Sequence, residues 1–141
     1  MTSPLHATSV VFCGRGLLLC GASGTGKSDL ALRIIDAGGS LVSDDYTQLT
    51  VKEKQLFASP PETIKGMLEV SGVGLLKVAT IPSARMDFVV TCESKEAIER
   101  LPQLIHTEIA GICLPVLKLY PFEASAVAKL RAFLQNKLTH E

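Results

Sequence analysis

Residues 17–28 read LLLCGASGTGKS, an apolar run followed by a loop rich in glycine and small polar residues. From Gly21 to Ser28 the loop matches the pattern G-x-x-x-x-G-K-[ST], which is typical of phosphate-binding P-loops. The apolar run predicts a strand, and the amphipathic stretch Asp29 to Ala37 predicts a helix after the loop. Strand, loop and helix in this order are the context that the pattern requires, so we predict a nucleotide-binding loop.

The residue types in this loop suit the binding of phosphate groups. Glycines let the backbone turn tightly and point its N–H groups at phosphate oxygens, where the N-terminus of the following helix adds partial positive charge. The Lys27 ammonium would reach the outer phosphates of ATP, and the Ser28 hydroxyl would bind Mg²⁺. The alternative is a glycine-rich turn that binds nothing. The predicted nucleotide-binding residues are Gly21, Ala22, Ser23, Gly24, Thr25, Gly26, Lys27 and Ser28.

The composition indicates one globular domain, which we assign to residues 1–141. Hydrophobic residues make up 47% of the chain and charged residues 20%, which excludes a disordered protein. The 14 basic and 14 acidic residues cancel, so we expect no nucleic-acid partner and no membrane partner. No signal peptide is evident and no apolar run approaches the length of a membrane span, which favours a cytoplasmic protein.

The cysteines are Cys13, Cys20, Cys92 and Cys113. No two of them form C-x-x-C, and no histidine lies beside them at the spacing of metal ligands. We therefore expect buried free thiols in a reducing cytoplasm rather than disulfides or a zinc site.

Outside the loop, short apolar runs separated by turns predict a mostly β protein. There are about eight strand candidates and only two convincing helices, one after the loop and one at residues 123–138. We therefore predict an α/β fold in which the P-loop is set in a mostly β, mixed sheet with few helices. The strand candidates include Thr8–Cys13 and Leu17–Cys20 as a hairpin around Gly14-Arg15-Gly16, Leu41–Ser43, Tyr46–Val51 and Gln55–Ala58 as a second hairpin, Asp87–Thr91 and Leu114–Tyr120.

Single residues refine these predictions. Gly38-Gly39 should end the helix that follows the loop. Ser94 is a candidate N-cap of a short helix that runs to Leu101. Because proline cannot donate to a sheet, Pro115 indicates that the strand Leu114–Tyr120 lies at an edge or contains a bulge.

Asp44 and Asp45 follow the predicted buried strand Leu41–Ser43. Ligands of α/β proteins bind outside the carboxyl ends of the strands, so we expect these aspartates and the P-loop to face one crevice. From the residues alone, the aspartates are either a catalytic pair or a solvated turn. Glu69, inside an otherwise apolar run, is either a metal ligand or a surface residue of an edge strand.

Taken in order, these motifs resemble the catalytic domain of bacterial HPr kinase/phosphorylase, which phosphorylates a serine of the phosphocarrier protein HPr. In many members it also removes that phosphate by phosphorolysis. The family's P-loop resembles Gly21–Ser28, and its hydrophobic run with two aspartates resembles Leu41–Asp45. Its signature Leu-Glu-x-Arg-Gly-x-Gly is similar to Leu68–Gly74. Its upstream histidine corresponds to His6, and its later Asp/Glu-Arg-Leu corresponds to Glu99-Arg100-Leu101.

The resemblance implies a fold of the HPr kinase and PEP carboxykinase type and a set of catalytic residues. Asp45 would act as general base when a serine hydroxyl attacks the γ-phosphoryl group in line. Lys27 would stabilise the developing charge. His6 and Arg100 would hold phosphate oxygens, although a histidine in a frayed lead and a solvated arginine are close alternatives.

The resemblance also implies cofactors and partners. ATP and Mg²⁺ would bind together, with Ser28 and Glu69 as metal ligands and Asp44 acting through water. The implied partner is an HPr-type phosphocarrier protein, and the implied assembly is a hexamer.

Several departures from the family bear on the reverse reaction. Ser71 stands where the signature usually has arginine, and Lys77 stands near a position that is often asparagine. The loop usually linked to dephosphorylation is at best represented by Pro115–Lys118. We expect a short form of the family, without the amino-terminal domain of longer members and with a shortened carboxy-terminal tail. These changes affect the expectation of phosphorolysis more than that of kinase activity.

The sequence therefore predicts an ATP- and Mg²⁺-dependent serine kinase for an HPr-type protein, and it favours kinase activity over phosphorolysis. One alternative is a small-molecule kinase with the same loop. The other is a nucleotide-binding regulator without catalysis, in which Ser71 marks the lost activity.

Overall fold

The structure, a computed structural model, describes residues 4–62 and 66–136. The described residues form two α-helices and eleven strands, and a 3₁₀ turn follows β9. The helices are α1 (Lys27–Asp36) and α2 (Ala126–Gln135), and the strands are β1 (Thr8–Phe12), β2 (Arg15–Cys20), β3 (Ser40–Ser43), β4 (Gln48–Lys52), β5 (Gln55–Ser59), β6 (Met67–Val70), β7 (Gly74–Lys77), β8 (Ala84–Arg85), β9 (Phe88–Cys92), β10 (Ile105–Ile109) and β11 (Ile112–Leu119).

The central sheet has six strands in the order β10-β11-β9-β2-β1-β3. Strands β2, β9 and β11 run parallel, whereas β1 is antiparallel to both β2 and β3. As a result, β3 runs in the same direction as β2, and the carboxyl ends of both strands lie at the same end of the sheet. The loop 21–26 follows β2 there, and Asp44 and Asp45 follow β3. This mixed sheet with few helices confirms the predicted fold class.

Both faces of the central sheet are covered, as β2 shows. Leu17 and Leu19 belong to a buried cluster with Leu30 of α1, whereas Leu18 belongs to a second cluster with Leu56 of β5. This alternation follows from the geometry of a strand, whose successive side chains point to opposite faces. Burial of each leucine contributes about 1.5–3 kcal/mol. The end of the sheet that carries the loop is therefore part of a rigid scaffold.

Both predicted hairpins form, and each has a two-residue turn of positive φ. The first turn is Cys13 (φ 53°) and Gly14 (φ 73°), and the second is Glu53 (φ 51°) and Lys54 (φ 64°). Such turns match the right-handed twist of the flanking strands. The first turn lies earlier than predicted, because Arg15 already belongs to β2.

The helices differ from their predicted bounds. Helix α1 begins at Lys27 rather than Asp29. It ends before Gly38 and Gly39 as predicted, and the Gly39 N–H donates to the Ile34 carbonyl at 2.9 Å. Helix α2 begins later than the predicted residue 123, and residues 137 and 138 of that prediction lie outside the described residues. In the described part of the chain, no helix is long and apolar enough to span a membrane.

The predicted helix Ser94–Leu101 is wrong. Only Lys95–Ala97 forms a 3₁₀ turn, and the Ser94 side chain caps nothing. None of the residues in this turn is buried, so no apolar face stabilises a longer helix.

The prediction that Pro115 marks an edge strand or a bulge is also wrong, because β11 is an inner strand and its pairings with β9 and β10 show no shift in register. Strand β11 lies between β9 and β10, because β10, which was not predicted, covers that side. Pro115 pairs with His106 of β10, and the parallel pairing with β9 begins only at Val116. Pro115 therefore lies outside the parallel ladder, which does not need an N–H group at this position.

All four cysteines are free, as predicted. Cys92 is buried and Cys13 and Cys20 are partly buried, but Cys113 is exposed, so the expectation of burial is wrong there. Burial raises the pKa of the Cys92 thiol to about 11. Burial also raises the pKa of Cys20.

Candidate active site

A cavity of about 490 Å³ opens where β2 and β3 end. We call residues 21–28 the loop wall, and Asp44, Asp45 and Glu69 the acidic wall. The structure brings the two walls to one cavity, as the sequence predicted. The lining residues are Ser23, Gly24, Gly26, Lys27, Ser28, Asp29, Leu32, Asp44, Asp45, Glu69, Val70, Ser71 and Phe122.

The loop wall requires glycine at Gly26 for two reasons. Its φ of 100° lies in the left-handed region, which side chains other than glycine rarely adopt. A Cβ atom there would lie 2.9 Å from Pro121 Cγ and 3.0 Å from Phe122 Cζ. The loop is therefore packed closely against the segment between β11 and α2.

The Lys27 ammonium is turned back onto its own loop. Its Nζ donates to the Gly21 carbonyl at 2.6 Å and to the Ala22 carbonyl at 3.2 Å. The Thr25 hydroxyl also donates to the Ala22 carbonyl, at 2.6 Å. Of the predicted loop residues, Gly21, Ala22 and Thr25 do not line the cavity but hold the loop in shape through these bonds.

Asp44 is buried, with 7% of its surface exposed, and its carboxylate has several donors. Oδ1 accepts from the Thr8 hydroxyl at 3.1 Å and from the Ser28 hydroxyl at 2.9 Å. Oδ2 accepts from the Glu69 backbone N–H at 3.2 Å. A buried carboxylate is costly without such partners, and here they join β1, α1 and β6 to the end of β3.

Asp45 differs from its neighbour in being exposed. Its φ of 66° is unusual for a residue other than glycine, and its backbone N–H donates to the Thr8 hydroxyl oxygen at 3.0 Å. His6 Nε2 is hydrogen-bonded to Asp45 Oδ1 at 2.9 Å, and the His6 ring stacks on Tyr46 with centroids 5.1 Å apart. The structure thus joins two of the predicted catalytic residues and presents a carboxylate to the cavity.

The oxygen atoms that could serve as metal ligands in the cavity fit Mg²⁺ chemically. They are the carboxylate oxygens of Asp44 and Glu69 and the hydroxyl of Ser28, and Mg²⁺ prefers oxygen ligands. Among the described residues, no group of three or more His, Cys, Asp or Glu is arranged as a metal site.

Of the predicted catalytic residues, His6 does not line the cavity but bonds to Asp45, whereas Arg100 neither lines it nor contacts the acidic wall. Arg100 is exposed on a bend after the 3₁₀ turn. Its role stays a prediction.

Comparison with known proteins identifies the family. Residues 1–119 match the family model of the HPr Serine kinase C-terminal domain. The chain belongs to this family. It is 36% identical over 124 residues to HPr kinase/phosphorylase of Caldicellulosiruptor bescii, covering 79% of this chain and 40% of that protein. With HPr kinase/phosphorylase of Bacillus cereus strain B4264 it shares 33% identity over 132 residues, covering 82% of this chain and 43% of that protein.

A solved structure is also similar to this chain. The HPr(Ser) kinase/phosphatase of Coxiella burnetii matches with a TM-score of 0.81 and 25% identity, over 95% of this chain and 93% of that chain. The chain spans about two fifths of the length of the curated relatives. The predicted resemblance is thereby confirmed.

Two departures from the family pattern can be located. Ser71 lines the cavity at the position where the signature usually has arginine. Pro115–Lys118, considered as the counterpart of the dephosphorylation loop, is part of strand β11 and lines no part of this cavity.

Sequence reasoning missed two residues of the site. The sequence predicts Thr8 only as the start of a strand, because the hydrogen bonds of its side chain depend on residues far away along the chain. Phe122 lies in a segment held by Arg33, which donates to the carbonyls of Pro121 and Glu123. An aromatic residue directly after a proline, between a strand and a helix, was the available signal for Phe122.

Proposed function

We propose that this chain transfers the γ-phosphoryl group of ATP to a serine of an HPr-type phosphocarrier protein, with Mg²⁺ as cofactor. The observation that carries the proposal is that the loop wall and Asp45 line one cavity. The family, and the relatives named HPr kinase/phosphorylase, support the choice of the acceptor protein.

The loop wall would bind the nucleotide. Its backbone N–H groups and the N-terminus of α1 suit phosphate oxygens. Lys27 would exchange the carbonyls of Gly21 and Ala22 for phosphate oxygens and so stabilise charge in the transition state. Ser28 and Glu69 would hold Mg²⁺, and Asp44 would act through water. When bound, the ion supplies positive charge that offsets the charge of the phosphates.

The acidic wall would supply the general base that accepts the proton of the serine hydroxyl. A serine hydroxyl is a weak nucleophile, and Asp45 is an exposed carboxylate at the cavity that can accept its proton during in-line transfer. His6 keeps the carboxylate oriented through its bond to Oδ1. In the reverse direction Asp45 would return the proton to the leaving serine oxygen. Such a base contributes about 10²–10⁴-fold to the rate.

Transfer from ATP is favoured over phosphorolysis. The stretch Pro115–Lys118 is a paired strand rather than a loop beside the cavity, and Ser71 brings no positive charge to it. Both observations weaken the case for binding inorganic phosphate next to a phosphorylated serine.

A hexamer in the cytoplasm remains part of the proposal through the family resemblance. Large apolar side chains are exposed at Val73 (68%), Leu75 (64%) and Leu101 (78%), which supports burial between copies. Light scattering at micromolar concentration measures the assembly, and a monomer would contradict this part.

The test of the proposed activity is incubation with γ-labelled ATP, Mg²⁺ and an HPr-type protein, using wild type, Asp45→Asn and Asp36→Asn. Asp36 is exposed near the end of α1 and does not line the cavity, so it is the matched control. We expect labelled serine on the partner with wild type and Asp36→Asn, and a rate about 10²–10⁴-fold lower with Asp45→Asn. The reverse direction is measured with phosphorylated partner and inorganic phosphate.

Other outcomes identify the alternatives. Label on a small metabolite, with none on the protein, would point to a small-molecule kinase. Tight binding of ATP without any transfer would point to a nucleotide-binding regulator.

A further inference from the structure

The Thr8 hydroxyl contacts both aspartates of the acidic wall. It donates to Asp44 Oδ1 at 3.1 Å and accepts from the Asp45 backbone N–H at 3.0 Å. A hydroxyl has one proton to donate, and an ionised carboxylate can only accept, so the direction of both bonds is determined. Thr8 thus uses its single proton on one aspartate and a lone pair on the next.

We infer that Thr8 is a positioning residue for phosphoryl transfer, an inference that rests on the proposed function. Its side chain is fully buried, and its backbone pairs with Leu19 of β2 inside the sheet. A β-branched side chain has few rotamers, so the hydroxyl is held by a rigid element. The Asp45 backbone lies in the left-handed region at φ 66°, and its N–H donates to this hydroxyl there.

Thr8 links the two walls of the cavity. Asp44 Oδ1 also accepts from Ser28, the last residue of the loop wall, while Asp45 presents the proposed base. Loss of the Thr8 hydroxyl would leave the Asp45 N–H without its acceptor and Asp44 with one donor fewer. The position of the base relative to the loop would then be less well defined, with little change in the groups that bind the nucleotide.

The chain offers a closely matched control in Thr47. Thr47 is also fully buried, and its hydroxyl donates to the Ala7 carbonyl and bonds to the Ser9 hydroxyl, without touching either aspartate. Threonine to valine at Thr8 and at Thr47 therefore removes the same buried group with the same number of bonds, although Thr47 lies in an isolated bridge with Leu5 rather than in β1. Thr8→Ser keeps the hydroxyl and removes only a methyl group.

The experiment compares wild type, Thr8→Val, Thr8→Ser and Thr47→Val. Amide hydrogen exchange at Asp45 is measured by NMR without nucleotide, and kcat and KM for ATP are measured in the transfer assay. For Thr8→Val we expect exchange at Asp45 at least about 10-fold faster and kcat about 10- to 100-fold lower, with KM within about threefold. Thr8→Ser should restore both values to within about threefold, and Thr47→Val should leave both unchanged.

The outcomes separate this inference from the proposed function. Unchanged exchange at Asp45 in Thr8→Val, or an equal loss of kcat in Thr47→Val, would overturn the positioning role. A wild-type protein that transfers no phosphate would overturn the proposed function. The exchange measurement would still decide in that case whether Thr8 holds Asp45.

Discussion

The two walls of the cavity are built differently. In the loop wall, Lys27 contacts the carbonyl of Gly21, six residues away. In the acidic wall, His6 contacts Asp45, which is 39 residues away. The bonds of Lys27 thus join only residues between β2 and α1, whereas the bonds of the acidic wall join β1, β3 and β6. A change in the loop wall should therefore affect nucleotide binding, and a change in the acidic wall should affect transfer.

The largest effect is expected from Lys27→Met, which should lower kcat/KM for ATP by about 10²–10³-fold because it removes the one positive side chain of the loop wall. Binding of a fluorescent ATP analogue should weaken as well, unlike in Asp45→Asn. Lys129→Met is the control, since Lys129 pairs with Glu123 on an exposed face. Unchanged nucleotide affinity in Lys27→Met would contradict the division between the walls.

A second prediction concerns the base of the loop wall, where a Cβ on Gly21 would lie 3.4 Å from Cys92 Cβ. Burial raises the pKa of Cys92 from 9.0 to about 11, so the folded state favours the neutral thiol. The corresponding stability is fully present below pH 9 and is lost as pH rises to 11, by about 2 kcal/mol.

Urea unfolding at several pH values measures this loss of stability. The alkaline decrease in unfolding free energy should be smaller in Cys92→Ala than in wild type. It should be unchanged in Cys113→Ala, because Cys113 is exposed. An equal decrease in wild type and Cys92→Ala would rule out Cys92 as its source.

Next to the acidic wall, His6→Leu should lower kcat about 10-fold and leave the affinity for ATP unchanged, because the hydrogen bond from His6 to Asp45 is lost. His106→Leu provides the comparison, since His106 is exposed on the edge strand β10. Stopped-flow transfer assays measure both. If the two variants lost the same activity, the contact between His6 and Asp45 would have no special role.

The smallest effect is expected from Arg100→Ala. Arg100 lines neither wall, so kcat and KM should stay within about twofold of wild type in the transfer assay. A fall of tenfold or more would show that Arg100 reaches the phosphates, as the resemblance implied, in a conformation or assembly other than this one.

The loop wall could be predicted from sequence because its residues are consecutive and its glycines have specific backbone roles, as Gly26 shows. The acidic wall could be predicted only in part. The position of Asp45 after a strand, together with the family spacing, indicated its side of the molecule. The bonds of Thr8 to Asp44 and Asp45 could not be predicted, because they depend on the register between β1 and β3.

The wrong predictions have the same physical origin. Pro115 indicated an edge because proline cannot donate, but the sequence did not reveal that β10 would pair with its strand. Ser94 resembled a helix cap, but a cap cannot stabilise a helix that has no buried face. In both cases long-range packing, rather than local preference, decided the structure.

The contact between His6 and Asp45, which are far apart along the chain, also affects the order in which the protein unfolds. Closing a loop of 39 residues costs about 2 kcal/mol more chain entropy than closing one of six. In gradual denaturation His6 should therefore leave Asp45 before Lys27 leaves its carbonyl partners. Under the proposed function, a partly unfolded molecule would at that stage still bind ATP but could no longer transfer its γ-phosphoryl group.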